Sequence, residues 1–224
     1  MDELRRAYHD RIGDLRARTR ALVGASAGAV ERVTVALLAD DREAGRLLIE
    51  EMASDLDEPS RVEEEVLDVL AREAPLGRDL RVVLASLFIA QSAGLCLGLV
   101  RTLASRPGPA APVLTSPLRA LAYEIGAETV ELLERAGGAW EVLSEDHALT
   151  VIAAADGSRL LQRRFLAELF GLTQVPVEAA VELGMLARAY ERLTDHAVSI
   201  AGRVVFAATG TPPAAPTVVT GDLA

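Results

Sequence analysis

Residues 82–100 run for 19 positions without a charge, closed at either end by Arg81 and Arg101. About 20 apolar residues span a bilayer, so this stretch is either a membrane span or a helix covered by protein on all sides. It contains Gly94-x-x-x-Gly98, a spacing that lets transmembrane helices approach closely. Against a span, Ser86, Gln91 and Ser92 dilute the run, and charged amphipathic segments lie on both sides of it. That is the setting of the central helix of a helical bundle. The expectation is a buried core helix with no membrane insertion.

The segments around it have helical periodicity. Leu4, Tyr8, Ile12, Leu15, Leu22, Val30, Val33 and Leu37 are spaced by three, four or their sums. A second helix is expected over residues 41–57, stopping before Pro59 and resuming over 60–72. Pro75 and Gly77 then break the chain, with Asp79 placed to cap the uncharged helix. Residues 107–117 form a Pro-rich linker between two halves of similar layout, 1–106 and 118–209. In the second half, Gly137-Gly138 reads as a break and Pro176 as a further one. Residues 210–224, with Pro212, Pro213 and Pro216, read as a disordered tail.

The halves also match in detail. The run from Leu38 to Ala44 corresponds to that from Leu143 to Ala148, less one residue, and each match precedes a helix, a proline and a long apolar helix. No segment alternates polar and apolar residues between hairpin turns. The expected fold is all-α, two tandem three-helix bundles. The final helix carries the most regular seam: Leu183, Leu186, Tyr190, Leu193, Ala197, Ile200 and Val204.

Composition removes several kinds of chemistry. Every basic residue is an arginine, which excludes a Walker-type loop, a lysine Schiff base and a kinase phosphate anchor. The net charge of −10, with no basic stripe, argues against nucleic acid as a partner. A single cysteine, Cys96, excludes an internal disulfide, and burial among apolar neighbours should raise its pKa and leave it inert. The mixed charges of the first six residues do not form a secretory signal, so the chain is expected in the cytoplasm.

Few residues suggest a site. Gly24-Ala-Ser-Ala-Gly28 has the letters of a nucleophile elbow, but that motif needs a preceding strand; small residues at a helix crossing explain it better. His196 follows Asp195 yet points about 100° away around the helix, so the two do not cooperate. Two carboxylate pairs at i, i+4 remain, Glu51 with Asp55 and Glu191 with Asp195. Such pairs donate oxygens to metal ions, but Arg188 and Arg192 would make ordinary ion pairs with the second of them. Ser199 continues the Glu191–Asp195 stripe by four more residues.

The run Glu191-Arg192-Leu193-Thr194-Asp195-His196-Ala197-Val198-Ser199-Ile200-Ala201-Gly202-Arg203-Val204 resembles the PhoU signature, E-R-x-x-D-H-A-V-N-I-A-E-R-V. In the first half, Ala71-Arg72-Glu73-Ala74-Pro75-Leu76-Gly77-Arg78-Asp79-Leu80-Arg81 resembles the family's A-R-x-x-P-x-A-x-D-L-R. Asp40-x-x-x-Ala44 and Glu51-x-x-x-Asp55 fall where the family has its D-x-x-x-A and first acidic pair. The resemblance covers residues 7–209, and the lysine-free composition fits a member from a high-GC bacterium.

The resemblance implies two three-helix bundles and a non-enzymatic, cytoplasmic regulator of high-affinity phosphate uptake. Such a protein forms a homodimer and connects the phosphate ABC transporter to a sensor histidine kinase, keeping phosphate-starvation genes off when phosphate is plentiful. Members can carry multinuclear iron or zinc clusters on E/D-x-x-x-D pairs from two helices of each bundle. In this chain the second acidic pair of the first bundle falls on Gly94 and Gly98, and the first pair of the second on Ala155 and Arg159. The metal-ligand candidates are therefore Glu51, Asp55, Glu191 and Asp195, half of each family site. The expectation is no resident cofactor, with iron or zinc as the alternative, in a metal-binding bundle protein or a generic helical adaptor.

Overall fold

The computed structural model describes residues 2–105, 115–172 and 175–212. Most of the Pro-rich linker, and the tail from residue 213, lie outside the described residues. The rest is helical: α1 (Asp2–Ala39), α2 (Arg42–Glu51), α3 (Ala53–Glu73), α4 (Gly77–Ala104), α5 (Ser116–Val142), α6 (Glu145–Gly171) and α7 (Val177–Thr209). No strand occurs among the described residues.

Helices α1, α2–α3 and α4 make one three-helix bundle, and α5, α6 and α7 the other. The two lie side by side, with α1 on α5 and α4 on α7, so that α1, α4, α7 and α5 close into a ring. Helix α3 covers α4 from outside, and α6 lies against α5 and α7. One continuous apolar core fills the arrangement, from Leu15, Val23 and Val33 of α1 through Ile89 and Leu97 of α4 to Trp140 of α5 and Leu193 of α7. All seven residues of the α7 seam are buried.

Side-chain bonds stitch the ring internally. The Trp140 indole N–H of α5 donates to Thr19 Oγ1 of α1 at 2.8 Å. Thr34 of α1 and Tyr190 of α7 share a hydrogen bond of 2.5 Å across the middle of the ring. Burial pushes the Tyr190 phenol up to about 12. These bonds satisfy polar groups whose burial without partners would cost about 1–3 kcal/mol each.

Helix α4 is a core helix, but it is not covered on all sides as expected: Phe88, Gln91 and Leu95 stand exposed along one face. Twelve of its residues are buried, including Val83, Ile89, Ala93, Cys96 and Leu97, because α1, α3 and α7 all pack on it. By length and composition α1 also matches a bilayer span, and it too carries a buried stripe, running through Leu15, Leu22, Val30 and Val33. The small-residue run on α1 marks a helix crossing: Ser26 is buried and donates to Leu22 O at 2.9 Å and to Ala93 O of α4 at 3.1 Å.

Four local expectations are corrected. The second helix breaks at Met52, and α3 runs through Pro59, whose ring packs against Gly94 on α4. Gly137-Gly138 does not interrupt α5. A Cβ on Gly137 would lie 2.9 Å from the Arg20 guanidinium, so glycine here permits the close approach of α1 and α5 rather than a turn. Asp79 does not cap α4; it sits in the first turn and accepts from the Tyr8 hydroxyl at 3.0 Å.

The last concerns the repeat, whose backbone register differs from the letter match by two residues at Leu143 and by one at Ala148. Asp40 and Leu143 are both left-handed, at φ 53° and 52°, and the next residues, Asp41 and Ser144, cap α2 and α6 by accepting from Ala44 N and His147 N. Equivalence of backbone function thus pairs Asp41 with Ser144, whereas the letters pair Ala44 with Ala148.

Candidate functional site

The polar stripe of the sequence stands on the face of α7 beside α6. Underneath it is a buried polar layer built on hydroxyls: Ser158 and Thr194 are 3.1 Å apart, and Gln162 Nε2 donates to Thr194 Oγ1 at 3.3 Å, all three residues being buried. This layer fixes the register of α6 against α7 and sets residue 159 beside residue 195. Arg159 then reaches outward, donating to Asp156 Oδ1 at 3.1 Å on its own helix and to Asp195 Oδ1 at 3.3 Å across the groove. One turn earlier on α7, Arg188 donates to Glu191 Oε2 at 2.5 Å. Both carboxylates of the pair are therefore matched with guanidinium groups. Arg188 is held above its ordinary value by the bond to Glu191 first, with Asp195 adding to it.

Asp195 takes its cation from α6 and not from Arg192 one turn back, which had been the expectation. Arg192 instead bears on His196, half-buried on the inner shoulder of α7. Burial first, and the Arg192 charge second, hold that imidazole below its ordinary value.

In the first bundle Glu51 ends α2 and pairs with Arg32 of α1 at 2.6 Å. Asp55 lies in the first turn of α3, so the Met52 interruption falls between the two. Across from them a Cβ at residue 94 would lie 2.6 Å from Pro59 Cγ, a place already filled by the proline ring. In the second bundle, Ala155 is fully buried and Arg159 brings a positive charge.

Multinuclear iron or zinc requires several anionic ligands converging on one point. Among the described residues no three His, Cys, Asp or Glu side chains converge. Glu51, Asp55, Glu191 and Asp195 remain in separate pairs, and three of the four are bound to arginines. This donor set does not fit a multinuclear cluster.

The other candidate chemistry is closed off. Burial pushes the Cys96 thiol up to about 12, so no thiolate forms at neutral pH. Ser26 spends its proton inside a helix crossing. A cavity of about 10 Å³ at the α1–α2–α4 junction, lined by Val33, Leu37, Asp41, Gly45 and Ala104, has room for no more than a water molecule. Sequence reasoning missed the pairing of Arg159 with Asp195. Its signal was the arginine standing where the family pattern has an acid.

Known proteins are similar to this chain over most of its length. The chain is 34% identical to phosphate-specific transport system accessory protein PhoU homolog 1 of Mycobacterium leprae, over 94% of this chain and 96% of that one. It is 31% identical to PhoU homolog 2 of Mycobacterium tuberculosis, over 94% of this chain and all of the other. In fold it is similar to the crystal structure of PhoU from Pseudomonas aeruginosa, with a TM-score of 0.82 at 22% identity, covering 91% of this chain and all of that one. The phosphate transport system regulatory protein PhoU from Streptococcus pneumoniae superposes with a TM-score of 0.81 at 17% identity, covering 91% and 98%. No family model matches the chain.

Proposed function

The chain belongs to the family of PhoU phosphate-specific transport system accessory proteins, and from that membership we propose a non-enzymatic regulator of phosphate uptake that works by protein–protein contact. In this reading it acts in the cytoplasm as a homodimer. It contacts the phosphate ABC transporter and its sensor histidine kinase, and holds phosphate-starvation genes off when phosphate is plentiful.

The observation that carries the reading is the 34% identity to a transport accessory protein across nearly all of both chains. Two structural points are consistent with it. Buried polar groups at the helix crossings pair with one another, as at Trp140–Thr19 and Thr34–Tyr190. The surface carries large exposed apolar side chains, Phe170, Val177 and Leu76 among them.

Deleting the gene and following a phosphate-starvation promoter in phosphate-replete cells tests the role. Derepression is the expected result, and unchanged repression would refute it. Cross-linking from the same cells with the full chain as bait should recover transporter and kinase subunits.

A further inference from the structure

We propose that Arg159 is a built-in cation that replaces a metal ion between α6 and α7, so that this face keeps its geometry without metal.

Carboxylates on adjacent helices repel unless a cation sits between them. Here the guanidinium of Arg159 stands in that place, within 3.3 Å of Asp195 on α7 and 3.1 Å of Asp156 on α6. Its five donors are arranged in a planar fork, which suits it to bridge two carboxylates at once, as a metal would. The buried Ser158–Thr194–Gln162 layer sets the helix register from below, so the pair meets without any ion to draw the helices together. Arg188 neutralises Glu191 by the same means one turn away. The first bundle has departed by a different route: Pro59 fills the space over Gly94, and Arg32 takes Glu51. Both bundles have thus exchanged a removable cation for covalently attached charge or for packing. Arginine holds its proton at any physiological pH, so the exchange also frees the face from metal supply.

Arg159→Glu and Arg159→Gln variants test this alongside the wild type. The full chain is expressed in medium supplemented with iron, zinc and manganese, purified without chelator and desalted. Wild-type protein is expected to hold far less than one equivalent of any of these metals, and its melting temperature should not move with EDTA. Arg159→Glu puts a further carboxylate beside Asp156, Glu191 and Asp195. Its melting temperature should fall below wild type in EDTA and rise by several degrees with micromolar zinc. Arg159→Gln, with the cation removed and no acid added, should show no zinc response. One or more equivalents of metal in the wild type, lost in Glu191→Ala/Asp195→Ala, would overturn the proposal. So would an Arg159→Glu protein that responds to zinc no more than the wild type. If Arg159→Glu does not fold, the wild-type metal content and its response to EDTA decide between the same two outcomes.

Discussion

Replacing Gly94 with alanine sets two rules against each other, and the structure says which prevails. In the middle of an exposed helix the change should stabilise by about 1 kcal/mol, because glycine loses more backbone entropy on folding. At this position the new methyl would stand 2.6 Å from Pro59 Cγ and 3.4 Å from its Cβ. Carbon atoms pack best about 3.5–4.0 Å apart, so the helices must separate by roughly 1 Å. The proline cannot turn aside, since its ring is closed on its own backbone nitrogen. Overpacking of this kind costs about 1–3 kcal/mol, which exceeds the propensity gain and leaves a net loss of about 1 kcal/mol. For a chain of this size the melting temperature of Gly94→Ala should fall by about 2–4 °C, measured by circular dichroism and checked by urea titration. In a Pro59→Ala background the obstacle is gone, and the same substitution should stabilise instead. The double-mutant cycle should therefore show a coupling of about 2 kcal/mol and a change of sign. A higher melting temperature for Gly94→Ala alone, or additivity within about 0.5 kcal/mol, would falsify the assignment of the α3–α4 contact.

Leu193→Asp should prevent cooperative folding or lower the melting temperature by tens of degrees, since it buries an unpaired carboxylate mid-seam at a cost of several kcal/mol; a native-like melt would show the seam to be misassigned. Glu191→Ala with Asp195→Ala should move the melting temperature by only a degree or two, because their side chains are 42% and 52% exposed and such pairs contribute about 0–1 kcal/mol. The same change should weaken phosphate-dependent repression in a reporter strain. Tyr190 has a pKa raised to about 12 in the fold against about 10 in the unfolded chain, so its contribution is intact below pH 10 and is lost as pH rises from there toward 12. Tyr190→Phe should make the alkaline limb of a stability–pH profile shallower over that window, leaving the part carried by Tyr8 and Cys96, which burial raises in the same direction; an unchanged limb would mean the Tyr190 phenol is not what titrates.

The architecture was legible in the sequence where a pattern extends over several turns. The α7 seam, the core helix α4 and the small residues at Ser26 each declare themselves through spacing that only a helix can use. Turn residues misled where glycine and proline serve packing. Gly137 admits an arginine from another helix, Gly94 admits a proline, and Pro59 sits inside a helix that tertiary contact sustains. Those reasons lie in residues far away in the chain, so no local reading contains them. The candidate site divides in the same way. The spacing of Glu191 and Asp195 was visible, as was the loss of the acids opposite. The partner of Asp195 was not, because Arg159 is 36 residues away and becomes a neighbour only once the hydroxyl layer has fixed α6 against α7.

The closed ring of α1, α4, α7 and α5 takes two helices from each repeat, and the pairs that close it, α1 with α5 and α4 with α7, occupy equivalent places in the two halves. Exchanging the halves maps each contact onto its partner contact, which is the property of an isologous dimer interface. The chain is built like two subunits of a homodimer that were later joined end to end. Its halves should then behave as subunits. Residues 1–105 and 115–224, produced separately, should each expose a wide apolar side and aggregate. Co-expressed without the connection between them, they should co-purify as a heterodimer with the helicity of the intact chain.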